Sequence, residues 1–211
     1  MSNLTMPTLT VAFKQRASTS VARSQKGVVA FLIRDAAADE EAKTYTLTST
    51  AQIPQTLGTA NQAAIRRVFL GNVNPPKKVL LYVMGAGDTV TAEAAVLTWL
   101  ATQKFDYLAG PDDLSPEEAG AIKTWLVNQR SDNYAIYKAV LPELAADSEA
   151  IVDFSASGIL VDGETFTAAG YCGRIAGLIA GTPMTQAISY AALPEVEDID
   201  RKTLVELDEA V

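Results

Sequence analysis

The chain has no histidine. A Ser–His–Asp triad, a Cys–His pair, a His-ligated metal and an imidazole proton shuttle are therefore all excluded. It has one cysteine, Cys172, among 211 residues. One thiol excludes an internal disulfide and any zinc site that needs two or more cysteines. Basic residues are the minority charge, 17 Lys and Arg against 25 Asp and Glu, for a net charge of −8. Such a chain is poorly suited to nucleic acid or an anionic membrane, because phosphate contacts need surplus Lys and Arg. Long apolar runs are missing as well. The most apolar stretch, 168–192, is interrupted by Arg174, Pro183 and Gln186 and is too short to span a bilayer. Residues 1–10 are polar and lack the apolar core of a signal peptide. No internal repeat or low-complexity segment is visible.

What remains is the composition of a folded soluble protein, 48% apolar and 20% charged, long enough for one ordinary domain with appendages. Residues 1–24 are rich in Ser, Thr, Lys and Arg and hold one alternating piece, Thr8-Leu9-Thr10-Val11-Ala12-Phe13-Lys14. Leu9, Val11 and Phe13 share one face of such a strand. It has no partner nearby in sequence, so it reads either as a frayed end or as an arm that adds to another sheet. The continuous apolar run 27–34 (GVVAFLIR) reads as a buried strand, and 44–50 is β-prone.

The middle of the chain alternates helix and strand. Thr59 is placed to cap a helix through Ile65, Val68 and Phe69, stopped by Gly71 and Pro75-Pro76. Residues 77–84 (KKVLLYVM) read as a buried strand. Thr91 is placed to cap a helix to about Gln103, and 105–109 is a short strand. Ser115-Pro116-Glu117-Glu118 carries three start signals for a helix to about Arg130: a cap, Pro at the first position, and Glu three residues after the cap. Strands follow at 134–141 and 151–154. Asp162-Gly163 between β-prone pieces predicts a hairpin over 158–166. Thr167 is placed to cap a helix over 168–180, ended by Gly181 and Pro183. Residues 185–193 read as one more strand and 201–210 as a last helix. Helix and strand in alternation with short connections predict an α/β fold: a mostly parallel sheet flanked by helices, with an extended N-terminal β arm.

Each candidate for chemistry has a plainer reading beside it. The loop Gly85-Ala86-Gly87-Asp88 follows a strand and precedes a helix, where a phosphate-binding loop would sit, but position 90 is Val where a third Gly belongs. Asp112 and Asp113 lie at the carboxyl end of a predicted strand, as paired carboxylates of an active site would, and also as ordinary residues before a helix start. Ser155 and Ser157 lack a nucleophile elbow and a histidine base. Gly173, Gly177 and Gly181 form a Cβ-free stripe on one helix. It serves close packing against the sheet or against a neighbouring subunit, and Cys172 beside it reads as a small core residue.

Several segments resemble the tail sheath protein of contractile bacteriophages and phage-tail-like particles, of the type found in myophages of Gram-positive bacteria and related bacteriocins. The most specific are Ala146-Asp147-Ser148-Glu149-Ala150-Ile151, Tyr171-Cys172-Gly173-Arg174-Ile175-Ala176-Gly177-Leu178-Ile179-Ala180-Gly181-Thr182-Pro183 and Leu193-Pro194-Glu195-Val196-Glu197. Residues 10–14, 22–30, 106–112 and 138–142 match in the same order, so the resemblance covers nearly the whole chain.

The resemblance implies a structural role, not an enzyme, with no cofactor. Subunits would form a homo-oligomer of stacked rings, a helical sheath around a tail tube protein, bounded by baseplate and tail terminator proteins. The sheath contracts to drive the tube through a cell envelope, with no nucleic acid bound and no direct membrane insertion. It implies location in a virion tail or tail-like particle assembled in the bacterial host cytoplasm. It implies an inter-subunit strand-exchange arm at 1–24, carrying Leu9, Val11 and Phe13. Residues 25–50 would then be a strand region pairing with a C-terminal domain, 51–197 the α/β sheath domain often called subtilisin-like, and 198–211 a terminal helix. Family members continue past the position matching Glu209-Ala210-Val211, so that C-terminal domain is expected to be absent here. The alternative from the residues alone is a ligand- or metal-binding α/β protein that uses the Gly85–Asp88 loop and Asp112/Asp113.

Overall fold

In the computed structural model, the structure describes residues 27–38, 41–91 and 94–201. Six strands form one sheet in the order β2-β3-β1-β4-β5-β6: β1 (Val28–Arg34), β2 (Lys43–Leu47), β3 (Lys78–Met84), β4 (Tyr107–Ala109), β5 (Lys138–Pro142) and β6 (Ile151–Phe154). All neighbours are parallel except β2, which runs antiparallel to β3 at one edge. The α/β fold expected from the alternation is the fold observed.

Four helices cover the two faces among the described residues. On one side lie α1 (Thr59–Leu70) and α4 (Ala168–Ala180), and on the other α2 (Ala94–Thr102) and α3 (Pro116–Asn133). Strand periodicity sorts the cores. Val29, Phe31 and Ile33 of β1, with Val79, Leu81 and Val83 of β3, pack on Ile65 and Val68 of α1 and Cys172 and Ala176 of α4. The alternate residues Ala30, Leu32, Leu80, Tyr82 and Met84 pack on Val96, Leu100, Ile122 and Leu126. Because both faces are covered, β1 and β3 are apolar apart from Arg34 and Lys78 at their ends, instead of alternating.

Helix α3 starts at the anticipated capping box. The Ser115 hydroxyl accepts from the Glu118 amide, and the Glu118 carboxylate accepts from the Ser115 amide at 3.0 Å. Thr167 caps α4 by accepting from the Gly170 amide at 3.1 Å. The hairpin β7 (Ile159–Val161) and β8 (Glu164–Phe166) turns through Asp162 and Gly163, both at positive φ, as a tight two-residue turn requires.

The structure corrects several expectations. The 27–34 strand does not wait for a further domain: β1 is hydrogen-bonded on both edges, to β3 and β4, in the middle of the sheet. A boundary near residue 50 would cut that sheet, since β1 and β2 belong to it. Residues 185–193 form no strand. They follow Pro183, make only local turns such as Gln186 N to Pro183 O at 2.9 Å, and find no sheet to join. Thr59 is the first residue of α1 and not its cap; Gly58 holds that position without a side-chain bond. Tyr134 opens no strand but ends α3 in the left-handed region (φ 53°), and β5 begins at Lys138. The arm residues Leu9, Val11 and Phe13 and the expected helix over 201–210 lie outside the described residues, Arg201 excepted.

Candidate functional site

In an open α/β sheet, ligands bind beyond the carboxyl ends of the strands. Here an ion-pair network crosses the ends of β1 and β4, and beside it a surface hollow of ≈ 410 Å³ opens between Asp112, Asp113, Pro142, Glu143 and Thr167. Arg34, the last residue of β1, pairs with Glu118 on α3 and with Asp113 in the loop after β4, and its Nε donates to the Asp88 carbonyl at 2.6 Å. Glu118 also accepts from the Val90 amide at 2.9 Å and the Ser115 hydroxyl at 2.9 Å. Burial alone would raise the Glu118 pKa. The Ser115 and Val90 amides, the Ser115 hydroxyl and the Arg34 charge outweigh it, and the carboxyl is held below its usual range. Asp35 behaves alike: burial opposes its charge, but amides of Ala37 and Gly58 and the Asn61 side chain hold it ionised.

The Gly85–Asp88 loop is folded on itself. The Gly85 amide, which would point at a phosphate in a binding loop, donates to the Asp88 carboxylate at 2.8 Å, and the Asp88 amide donates back to the Gly85 carbonyl at 3.1 Å. Asp113 answers Arg34, while Asp112 lines a small cavity of ≈ 100 Å³ with Arg67 and Glu164. The Arg67 guanidinium lies 4.2 Å over the Phe166 ring. Ser155 and Ser157 are exposed near the hairpin, and the Ser157 carbonyl accepts from the Asp200 amide at 3.1 Å. Among the described residues, no three His, Cys, Asp or Glu side chains come together to hold a metal ion. Nor is any described helix long and apolar enough to cross a membrane.

The segments that carry the family resemblance meet in a second, buried cluster. Glu195 takes the Arg174 guanidinium and the Tyr171 hydroxyl, the latter at 2.8 Å, and Arg174 reaches on to the Gly71 carbonyl at 2.7 Å. Burial, then the bond to Glu195, raises the Tyr171 pKa, so Tyr171 stays protonated and donates. Burial opposes the charge of Glu195 as well, but the bonds from Arg174 and Tyr171 lower its pKa. This cluster ties the irregular segment after α4 back onto α4 and α1. Nothing in the spacing of Arg34, Glu118, Arg174 and Glu195 marks them as partners. The one available signal is a charged residue set in or ending a buried apolar stretch, which needs a counter-ion.

The glycine stripe faces α1 and the turn after it. A Cβ on Gly177 would stand 2.1 Å from the Val68 carbonyl oxygen, and one on Gly181 2.0 Å from that of Asn74. Gly173 sits against the Phe31 ring. Cys172 is 1% exposed, and burial pushes its thiol up to about 12, which leaves it a core residue and a poor nucleophile.

The surfaces that remain open are edges and patches. Among the described residues, β2 and β6 each have one partner in the sheet. Near the amino ends of the strands, exposed Met184 and Ile188 border a surface hollow with Tyr107 and Ile179. Tyr190, Tyr134, Ile136, Leu70 and Val73 are also exposed. Of these, Met184 and Ile188 border one hollow, and single exposed apolar side chains are otherwise ordinary on a protein surface.

No protein-family model matches the chain. Over 200 residues it is 36% identical to the tail sheath protein of Clostridium phage phiCD119, an overlap that takes in 90% of this chain and 52% of that protein. The chain thus spans about half the length of that relative. Among solved structures, the sheath tail protein of Desulfitobacterium hafniense matches with a TM-score of 0.73 at 14% identity, over 96% of this chain and 69% of its own. That of Listeria innocua matches with 0.73 at 12% identity, over 91% and 66%. The contracted helical sheath of the anti-feeding prophage matches with 0.60 at 15% identity, over 98% and 62%. At these identities the structural likenesses speak for the fold.

Proposed function

Because the chain is homologous to a phage tail sheath protein over nine-tenths of its length, we propose that it serves as the structural subunit of a contractile sheath. In this reading it polymerises around a tail tube in a virion tail or tail-like particle and contracts to drive the tube through a cell envelope. The carrying observation is that long homologous stretch, supported by a shared fold over 96% of the chain.

The mechanism is mechanical. Subunits assemble in an extended lattice and pass to a contracted one that buries more surface. At about 25 cal/mol per Å², some 100 Å² of additional apolar burial per subunit is worth roughly 2.5 kcal/mol, multiplied over every subunit. The α/β body supplies a rigid unit with a core on each sheet face, and its exposed apolar patches supply contacts that can be exchanged. Residues 1–24 act as the arm that links subunits while those contacts change, with backbone bonds worth about 0.5–1.5 kcal/mol each. Tail tube, baseplate and terminator proteins are the further partners, and assembly takes place in the host cytoplasm. The ligand-binding alternative gains no support from a loop whose Gly85 amide and Asp88 carboxylate satisfy one another.

The test is assembly in the electron microscope. Full-length subunits should form sleeves, and removal of residues 1–20 should abolish them while the circular dichroism of the α/β body persists. Sleeves that still form would sink the arm assignment.

A further inference from the structure

Helix α4 and strand β5 run between two surface hollows. The hollow of ≈ 410 Å³ lies at the amino end of α4, beside Thr167 and Ala168, and at the carboxyl end of β5, beside Pro142 and Glu143. A second, of ≈ 440 Å³, lies at the carboxyl end of α4, beside Ile179 and Thr182, and at the first residue of β5, Lys138. The 13 residues of α4 set the two apart by about 20 Å. They cannot serve one another within one copy.

Their chemistry is opposed. The first hollow is apolar at Leu114 and Pro142, carries Asp112, Asp113 and Glu143, and has no Lys or Arg in its lining. The second is apolar at Met184 and Ile188, carries Lys138, and has no Asp or Glu in its lining. Met184 and Ile188 stand 66% and 42% exposed. Two of the three acids are already answered at home: Asp113 pairs with Arg34, and Asp112 feels the charge of Arg67. Glu143 is exposed and, like Lys138, forms no ion pair among the described residues. Its backbone is held in the left-handed region, at φ 46°, with its amide donating to the Phe154 carbonyl at 3.3 Å. That fixes where its side chain leaves the chain.

We infer that these two ends are one contact between copies. Lys138, Met184 and Ile188 of one copy seat in the acidic hollow of the next, where Lys138 meets Glu143 and the two apolar side chains meet Leu114 and Pro142. The contact joins unlike ends, so it repeats from copy to copy along α4 instead of closing a symmetric pair. Apolar burial supplies the hold, and the opposed charges choose which end faces which. This rests on the sheath reading and adds to it a pair of matching surfaces on the α/β body.

The experiment is a divided charge swap, read by sedimentation and electron microscopy of sleeves. One variant carries Lys138→Glu and is acidic at both ends; the other carries Glu143→Lys and is cationic at both. Each alone should lose at least about ten-fold of its sedimentable sleeves, because like charges then face one another at every contact. An equimolar mixture should form sleeves again, since alternating copies restore an opposite pair at each junction. Gln186→Glu with Ser189→Glu, at exposed positions of the same hollow, replaces Lys138→Glu should its circular dichroism depart from the parent's. Single variants that assemble like the parent, or a mixture that assembles no better than either alone, overturn the contact and leave the sheath reading standing. Failure of the parent protein to form sleeves overturns the sheath reading and the contact with it.

Discussion

Replacing Gly177 by alanine adds one methyl group at the tightest helix crossing in the protein. That methyl would sit 2.1 Å from the Val68 carbonyl oxygen, 2.8 Å from its carbonyl carbon and 3.0 Å from its Cα. All three are backbone atoms, so no side chain can swing aside. Helices α1 and α4 must separate by about 1 Å to restore an ordinary contact. That loosens the core between Val68, Ile65, Ala176 and Cys172. Overpacking of this kind costs about 1–3 kcal/mol, and more when backbone must move. Better helix propensity returns about 0.5–1 kcal/mol. Because backbone must move here, the upper end of that cost applies, and the expected net loss is about 2 kcal/mol, or some 4–8 °C in Tm for a chain of this size. Gly120→Ala in α3 is the matched control, because nothing lies within 4 Å of the added methyl. It should raise stability by about 0.5–1 kcal/mol through propensity alone. Paired thermal and urea unfolding checks both. A Gly177→Ala protein as stable as the parent would refute the assignment of the stripe to the α1–α4 contact.

Three further predictions concern the carboxylates and the lone thiol. Glu118, Glu195 and Asp35 all have lowered pKa values in the folded state, so their contribution is complete above the ordinary carboxylate range near 4.5 and is lost as pH falls below it. Urea midpoints should therefore drop between pH 5 and pH 3, and Glu118→Gln should flatten that drop while losing about 2–3 kcal/mol at pH 7, with Asp113 still answering Arg34. Asp112→Asn with Asp113→Asn should leave sleeve assembly intact and alter stability by no more than about 1 kcal/mol, since the Asp113 side chain is 63% exposed; loss of assembly would restore a functional role to that loop. Cys172 should react with a thiol reagent only as fast as the protein unfolds, and stoichiometric labelling of the native protein within minutes would contradict its burial.

Much of the fold could be read from local signals. The Ser115–Glu118 capping box, the Asp162-Gly163 turn and the Thr167 cap each act within a few residues, and each lies where pattern alone placed it. Long-range order was not legible in this way. β1 is first in sequence but third in the sheet, because parallel strands are joined by crossovers that periodicity does not order. The same limit explains 185–193, whose β-prone composition has no neighbour to pair with. The site networks are longer-range still: Arg34 finds Glu118 across 84 residues and Arg174 finds Gly71 across 103. Family resemblance reached further than spacing, since Tyr171, Arg174 and Glu195 stand in the segments that carry it and meet in one buried cluster.

The central claim is that this chain is a sheath subunit, and immuno-electron microscopy of native particles with an antibody to it tests that most directly. The account predicts label along a ribbed sleeve around a tube. Label confined to another structure, or particles with an unlabelled sleeve, would contradict it.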